Sequence, residues 1–377
     1  MPERRVAFLL PSDSERYTGG HIYDVRVIHE LRARGWAIDA YDLPPGFPHP
    51  DAAALLESER LLAHFPQGAL ILSDSYATST MPAALAAHGG RLRLVAFVHH
   101  PFAAEPGLEP DRRRRLMAAE RLALPCLTHA IVTSRLTAAT LERDYGLPAG
   151  RITLAYPGTD PAPPARGSRS AAPLLLAVGT VMPRKDHPGL VEALGTLCDL
   201  PWRLRIIGNL ARFPNTVAQV RARATVLEIA GRIELAGELS PGALAAAWHG
   251  ADLVVSASRH EGFGMALAEG IARGLPAVAV AGGAVPEWLT PEAALLVPLG
   301  DPAALAAALR AAIRDRPLRQ RLRAGALRLR ERLPSWQATA LAVERALLAA
   351  AAMPLPYQRR DLRPGGPVEH GLRPSTV

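Results

Sequence analysis

Short continuous apolar runs alternate along the chain with stretches in which apolar residues recur every three or four positions. The first pattern reads as a parallel strand buried on both faces, and the second as a helix covering it. In the first half the strand-like runs fall at residues 6–10, from 36 onward, and at 69–72, 92–98, 130–134 and 152–156. In the second they fall at 174–178, up to 207, and at 232–237, 251–258 and 277–281. Between the first two runs, Ile22, Val25, Ile28 and Leu31 share one helical face, and Gly35 closes that helix before Trp36. This spacing predicts a βαβ unit, and its repetition predicts two doubly wound α/β halves. Residues 161–173, rich in Pro and Ala with no periodic signal, read as a flexible linker between them. A last amphipathic helix spans 336–352, and residues 353–377, rich in Pro, Arg and Gly, read as a disordered tail.

Residues 251–281 carry the most information: a strand, a turn, a helix, a stop and a second strand. Gly262 and Gly264 let the backbone come close to a ligand at the mouth of the helix, while Gly274 supplies a left-handed end and Pro276 forbids continuation. Glu261 then lies on the loop and Glu269 about a turn and a half into the helix. Both carboxylates reach a polyhydroxylated ligand laid across the helix N-terminus, whose unpaired N–H groups and dipole attract phosphate. Two isolated glutamates would more often be solvated charges. A dinucleotide fingerprint at Gly262-Phe263-Gly264 is discounted because its third small residue is missing, position 267 being Leu.

Other candidates fall at the ends of the remaining strands. Gly19-Gly20 opens a helix and suits either an anion or a plain tight turn. His99 and His100 close a buried strand, where ligands bind in open parallel sheets; an imidazole there can hydrogen-bond a sugar hydroxyl or carry a proton. Arg184 and Lys185, between a strand and a helix, offer a fork and a point charge to a diphosphate. Ser134 stands near a helix start.

Composition narrows the classes. With 377 residues and 49% of them hydrophobic, the chain has enough core for two domains. The formal net charge of +8 comes from arginine, with lysine nearly absent. High Ala, Arg and Pro usage also follows from GC-rich coding, and no basic stretch is interleaved with aromatics, so nucleic acid is not an expected partner. Cys126 and Cys198 have no metal-ligand spacing, which points to a reduced, cytoplasmic protein. With no signal-like apolar segment and no run of spanning length, membrane contact is expected to be at most peripheral. The arginine run at 112–115 is either a solvated helix face or a patch for anionic lipid or a phosphorylated acceptor.

The stretch from Glu261 to Glu269 resembles the Glu-x7-Glu motif of retaining glycosyltransferases with the GT-B fold, in particular glycosyltransferase family 4. Gly179-Thr180 with Pro183-Arg184-Lys185, Pro157-Gly158-Thr159-Asp160 and residues 282–287 are similar to that family as well. The resemblance implies two Rossmann-like domains, 1–160 on the acceptor side and 174–335 on the nucleotide-sugar side. They face each other across a cleft, and the helix at 336–352 crosses back to the first. It implies transfer of a hexose-type sugar from a nucleoside diphosphate sugar, with retention, to an unidentified acceptor: a glycan, a lipid-linked compound or a small molecule. On this resemblance Glu261 contacts the transferred sugar and Glu269 the ribose, while Gly262, Phe263, Gly264, Met265 and Ala266 hold the donor along the helix start. Gly19 and Gly20 close on the diphosphate, Arg184 and Lys185 stabilise it as it leaves, and His99 contacts the sugar. His100 stands where the family carries Asp, Ser134 holds the place of a family Ser, and Gly237 with Leu239 lines the nucleobase pocket. Glu287 is expected to cap a helix rather than react. No Asp-x-Asp motif stands at a strand end, so neither a metal nor any cofactor beyond the donor is expected. The rival readings are a GT-B epimerase or phosphorylase and a non-catalytic nucleotide-sugar sensor.

Overall fold

The structure is a computed structural model that describes residues 4–10 and 18–355. Its first half runs β1 (Arg5–Leu10), α1 (Gly19–Ala33), β2 (Ala37–Asp42), α2 (Ala52–His64), β3 (Leu70–Ser73), α3 (Ser75–Thr80), α4 (Pro82–His88), β4 (Arg93–Val98), α5 (Pro110–Ala123), β5 (His129–Val132), α6 (Arg135–Tyr145) and β6 (Ile152–Leu154). The second half runs β7 (Leu174–Val178), α7 (His187–Gly195), β8 (Arg203–Ile207), α8 (Pro214–Val226), β9 (Ile233–Gly237), α9 (Pro241–Gly250), β10 (Leu253–Ser256), α10 (Met265–Ala272), β11 (Ala277–Val280), β12 (Ala294–Val297), α11 (Pro302–Arg314) and α12 (Arg316–Leu329). A final helix, α13, covers Trp336–Ala352. Among the described residues each half forms one six-stranded sheet, in the orders β2-β1-β3-β4-β5-β6 and β12-β11-β10-β7-β8-β9. Every pairing is parallel. No described helix is long and apolar enough to cross a membrane.

The two halves are thus Rossmann-like sheets, as expected. In the first, the strand order reverses between β1 and β3, and in the second between β7 and β10. At such a switch point the loops beyond the strand ends part and leave a crevice. The chain places its chemistry there: Gly19-Gly20, Asp74 and His99 follow β1, β3 and β4, while Arg184-Lys185 and Glu261 follow β7 and β10.

Two expectations need correction. The buried face of α1 is formed by Tyr23, Asp24, Val27, Ile28 and Leu31, whereas Ile22 and Val25 are 42% and 45% exposed. The helix is rotated by roughly one residue because Tyr23 packs edge-on against Phe97, His99 and Trp336, a contact from β4 and α13 that helical spacing alone does not contain. The segment 161–173 is not a free linker. Ala165 N donates to Arg273 O, Arg166 and Gly167 N to His249 O, and the Asp252 carboxylate accepts from Ser168 N and Leu174 N, so the segment is strapped to the second domain. The predicted tail lies, from residue 356 on, outside the described residues.

α13 does cross back onto the first sheet. Its Trp336, Val343, Ala346, Leu347 and Ala350 join a core with Val6, Phe8, Tyr23 and Phe97. Glu344 is buried on this helix, where it accepts from Arg34 Nε at 2.7 Å and from Trp36 Nε1 at 3.2 Å. Gly158 is needed beside this crossing, because any Cβ there would run into the Trp336 backbone. Trp336→Ala is expected to lower the stability of the first domain by about 3–5 kcal/mol, read by denaturant unfolding.

Candidate functional site

The two switch points face each other across a cavity of about 330 Å³. Its walls meet where side chains are missing. A Cβ at Gly20 would lie 2.9 Å from the His99 ring within the first domain, and one at Gly262 would lie 2.7 Å from the His99 carbonyl oxygen, so the second domain touches the first through Gly262. Gly264 has φ of 98° and turns the chain into α10, whose N-terminus opens onto the cavity. The His99 carbonyl is fixed from behind by the hydroxyls of Thr133 and Thr137, each at 3.2 Å.

On the second-domain wall, charges form one connected network. Lys185 Nζ donates to Glu261 Oε1 at 2.7 Å, and Arg184 approaches Glu261 Oε2 at 3.4 Å. Arg184 also donates to His260 O at 2.6 Å and, across the cleft, to Glu105 Oε1 at 3.2 Å. Glu105 in turn bonds His100 Nε2 at 2.8 Å. Burial pushes the Glu261 carboxyl up, but Lys185 and Arg184 outweigh it and hold its pKa at about 2. It is therefore an anion at any working pH, held between two cations. Burial, with His100 and Arg184 nearby, takes His260 down to about 4, so that ring is neutral. Arg184 and Lys185 are held ready for an anion rather than extended into solvent.

On the first-domain wall three side chains converge: Asp24 from α1, Asp74 at the start of α3, and His99. His99 Nε2 lies 3.4 Å from Asp24 Oδ1 and 3.8 Å from Asp74 Oδ2. Burial raises the Asp24 carboxyl well above the usual range, and burial together with Asp24 takes Asp74 to about 7. Burial lowers His99, against the pull of Asp74. Neither aspartate was among the sequence candidates. The signals were present: a polar residue ending an apolar strand at Asp74, and a carboxylate on the buried face of the Gly-Gly helix at Asp24. Glu105 and His260 were missed too, because Arg184, which bonds both, stands 79 and 76 residues away from them.

Gly19, Gly20, His99, His100, Arg184, Lys185, Glu261, Glu269 and the run Gly262, Phe263, Gly264, Met265 and Ala266 all line the cavity, as does Leu239. Burial raises the Glu269 carboxyl, with Arg273 opposing. Two candidates are elsewhere. Ser134 is wholly buried and caps α6, accepting from Thr137 N at 3.1 Å. Gly237 does not reach the cavity wall; it ends β9 with φ of 69°, and its carbonyl accepts from Gly208 N at 2.9 Å. Glu287 is a helix cap as expected, but on the opposite domain: it accepts from Arg135 N at 2.9 Å and Leu136 N at 2.7 Å at the start of α6, and from Tyr156 Oη at 3.0 Å. The arginines of the 112–115 run sit on α5, where Arg113, Arg114 and Arg115 are exposed.

His187, next to this cluster, gives a pH signature. It is buried at the start of α7, and burial with the nearby Lys185 charge takes its pKa from 6.5 to about 3. Its folded value lies below its unfolded one, so the unfolded chain binds more protons, and the stability it contributes above about 6.5 is lost as the pH falls toward 3. Between pH 7 and 4.5 wild type is expected to lose about 2–3 kcal/mol more than His187→Gln in parallel denaturant titrations. Equal losses would contradict the buried neutral ring.

The family model "Glycosyltransferase Family 4" matches residues 21–163, and "Glycosyl transferases group 1" matches residues 160–328. The chain is 31% identical over 343 residues to a D-inositol 3-phosphate glycosyltransferase of Xylanimonas cellulosilytica, covering 85% of this chain and 80% of that protein. Among solved structures it is similar to sucrose-phosphate synthase from Thermosynechococcus elongatus, with a TM-score of 0.76, 20% identity, and 92% of this chain and 99% of that one covered. It is also similar to Anabaena HepE in complex with UDP and glucose, with a TM-score of 0.72, 16% identity, and 92% and 99% covered. These two likenesses concern the fold, which they place among GT-B enzymes.

Proposed function

This chain belongs to glycosyltransferase family 4, and from that membership we propose that it moves a hexose-type sugar from a nucleoside diphosphate sugar to a hydroxyl acceptor, with retention at the anomeric carbon. The observation that carries the reading is the placement of Lys185 and Arg184 on Glu261, beside the open N-terminus of α10. Departure of a nucleoside diphosphate builds negative charge on its terminal phosphate. Two fixed cations and a helix dipole stabilise that charge without reorganising, and such preorganised electrostatics usually lowers the barrier more than anything else a site can offer. Glu261, ionised throughout, positions them and offers its oxygens to sugar hydroxyls, and Glu269 on the same helix reaches the ribose. The leaving diphosphate then needs no metal ion, and it takes the proton of the incoming hydroxyl.

That last step is tested by Glu261→Gln. It is expected to reduce turnover without azide rescue; restoration of turnover by azide, with donor binding intact, would show Glu261 to be a nucleophile instead. The reading as a whole is tested by a thermal-shift screen of nucleoside diphosphate sugars. A native-state ligand at roughly 100 times its Kd stabilises by about 2.7 kcal/mol, so one donor should raise the melting temperature. Inositol 3-phosphate, named for the curated relative, is the first acceptor to add. Donor conversion without acceptor favours an epimerase, dependence on free phosphate favours a phosphorylase, and binding without turnover under any condition favours a sensor.

A further inference from the structure

We propose that Glu105 is a positioning residue for Arg184, so that this cation of the second domain takes up its working orientation only when the first domain closes on it. The proposal rests on the reading of Arg184 as part of the diphosphate clamp. Arg184 belongs to a turn of the second domain, Pro183–Lys185, and Glu105 follows a turn of the first, Phe102–Ala104. Both side chains are 16% exposed, and Glu105 Oε1 accepts from Arg184 Nε at 3.2 Å across the cleft. A guanidinium is a planar fork, so fixing two of its nitrogens fixes the direction of the third. Here Nη1 is held within its own domain by His260 O, at 2.6 Å, and Nε is held by Glu105 of the other. Nη2, whose hydrogen-bond partner among the described residues is the Met182 sulfur at 4.0 Å, is left for an anion in the cavity that Arg184 lines.

Glu105 is held too firmly to be a loose surface charge. Its second oxygen bonds His100 Nε2 at 2.8 Å, and its own N–H donates to Phe102 O at 3.1 Å. The Phe102–Ala104 turn is seated in its turn on Glu120, a completely buried side chain of α5. Glu120 accepts from the N–H groups of Phe102 and Ala103, the latter at 3.3 Å, from Ser79 Oγ at 2.8 Å and from Tyr145 Oη at 2.7 Å. Thus α3, α5 and α6 converge on the turn that presents Glu105. Burial pushes the Glu105 carboxyl up, but His100 and Arg184 outweigh it and take it below the usual range, so it meets Arg184 as an anion. Support of this kind is what holds a functional group in a productive geometry. Because the support lies in one domain and Arg184 in the other, parting the domains releases Nε and lets the fork turn. The clamp is complete only in the closed cleft.

The test is a double-mutant cycle of Glu105→Ala and Arg184→Ala in the full chain, read in two ways. With an accepted donor, Glu105→Ala is expected to lower kcat by about tenfold with little change in donor KM, because misalignment is felt by the charge that develops as the diphosphate leaves. In the Arg184→Ala background the same substitution should cost less than about twofold. Glu105→Gln keeps an oxygen for Arg184 Nε and should retain at least about a third of wild-type kcat. Melting temperatures of the four proteins need no substrate: the double variant should melt no lower than Arg184→Ala alone, since the contact is already lost there. Losses in kcat that multiply would make Glu105 a substrate contact, and equal losses in Glu105→Gln and Glu105→Ala would make its charge the active feature. Either result overturns the proposal, as does full activity in Glu105→Ala or a double variant whose melting temperature falls by the sum of the two single shifts. Wild-type activity in Arg184→Ala alone would instead end the clamp reading, and this proposal with it.

Discussion

Lys185→Ala is expected to lower kcat/KM for the donor by about 10²–10³, the usual consequence of removing one preorganised group from a developing anion. Lys185 is the chain's single lysine, in a protein that otherwise carries its positive charge on arginine. Its Nζ is 2.7 Å from Glu261, and both side chains are at most 15% exposed. Arginine in its place would bring a planar fork where the space suits a compact ammonium. A Cβ on Gly179 would already stand 3.0 Å from the Lys185 chain, so the passage is narrow. Lys185→Arg is therefore expected to recover less than a tenth of wild-type activity. The alanine variant also leaves the buried Glu261 carboxylate with Arg184 as its one neighbouring cation, so its melting temperature should fall, and donor should no longer raise it. Steady-state kinetics with the two variants side by side separates the loss of charge from the loss of fit. Full activity in Lys185→Ala would remove the clamp from the mechanism.

Gly262→Ala is expected to cost about 10² in kcat/KM while leaving each domain folded. Gly262 does not have a positive φ, so alanine introduces no backbone strain there. Its new Cβ would stand 2.7 Å from the His99 carbonyl oxygen, backbone that Thr133 and Thr137 hold in place. The contact lies between domains, so the least costly relief is to part them. A misplacement of about 1 Å between reacting groups costs on the order of 10²-fold. Small-angle scattering of the donor-bound protein should show a more open particle than wild type, while denaturant unfolding stays unchanged. Unchanged kinetics would show that the domains close along some other line.

Much of this site was legible in the chain. A strand-loop-helix unit writes its ligand side into a short stretch, so Glu261, the glycines and Glu269 could be read together, as could Arg184-Lys185 after β7. What could not be read depends on contacts between distant segments. The face of α1 was set by Tyr23 meeting β4 and α13, and local spacing gave Ile22 and Val25 instead. Ser134 looked like a ligand residue because a helix start near a strand end is where ligands bind, yet its hydroxyl is consumed by capping α6. The 161–173 segment looked free because its composition has no periodicity, while backbone bonds to His249 and Arg273 carry no side-chain signature. Asp24, Asp74 and Glu105 become meaningful only when three elements of the first domain and the Arg184 loop of the second are brought together.

Whether this cleft carries out retaining transfer is decided by the stereochemistry of the sugar released. The donor identified by thermal shift would be followed by ¹H NMR with wild-type protein, with water or an accepted alcohol as acceptor. The α-anomer of the transferred sugar should appear first from an α-linked donor, together with free nucleoside diphosphate. First appearance of the β-anomer, or no release of nucleoside diphosphate from a donor that binds, would contradict retaining transfer at this cleft.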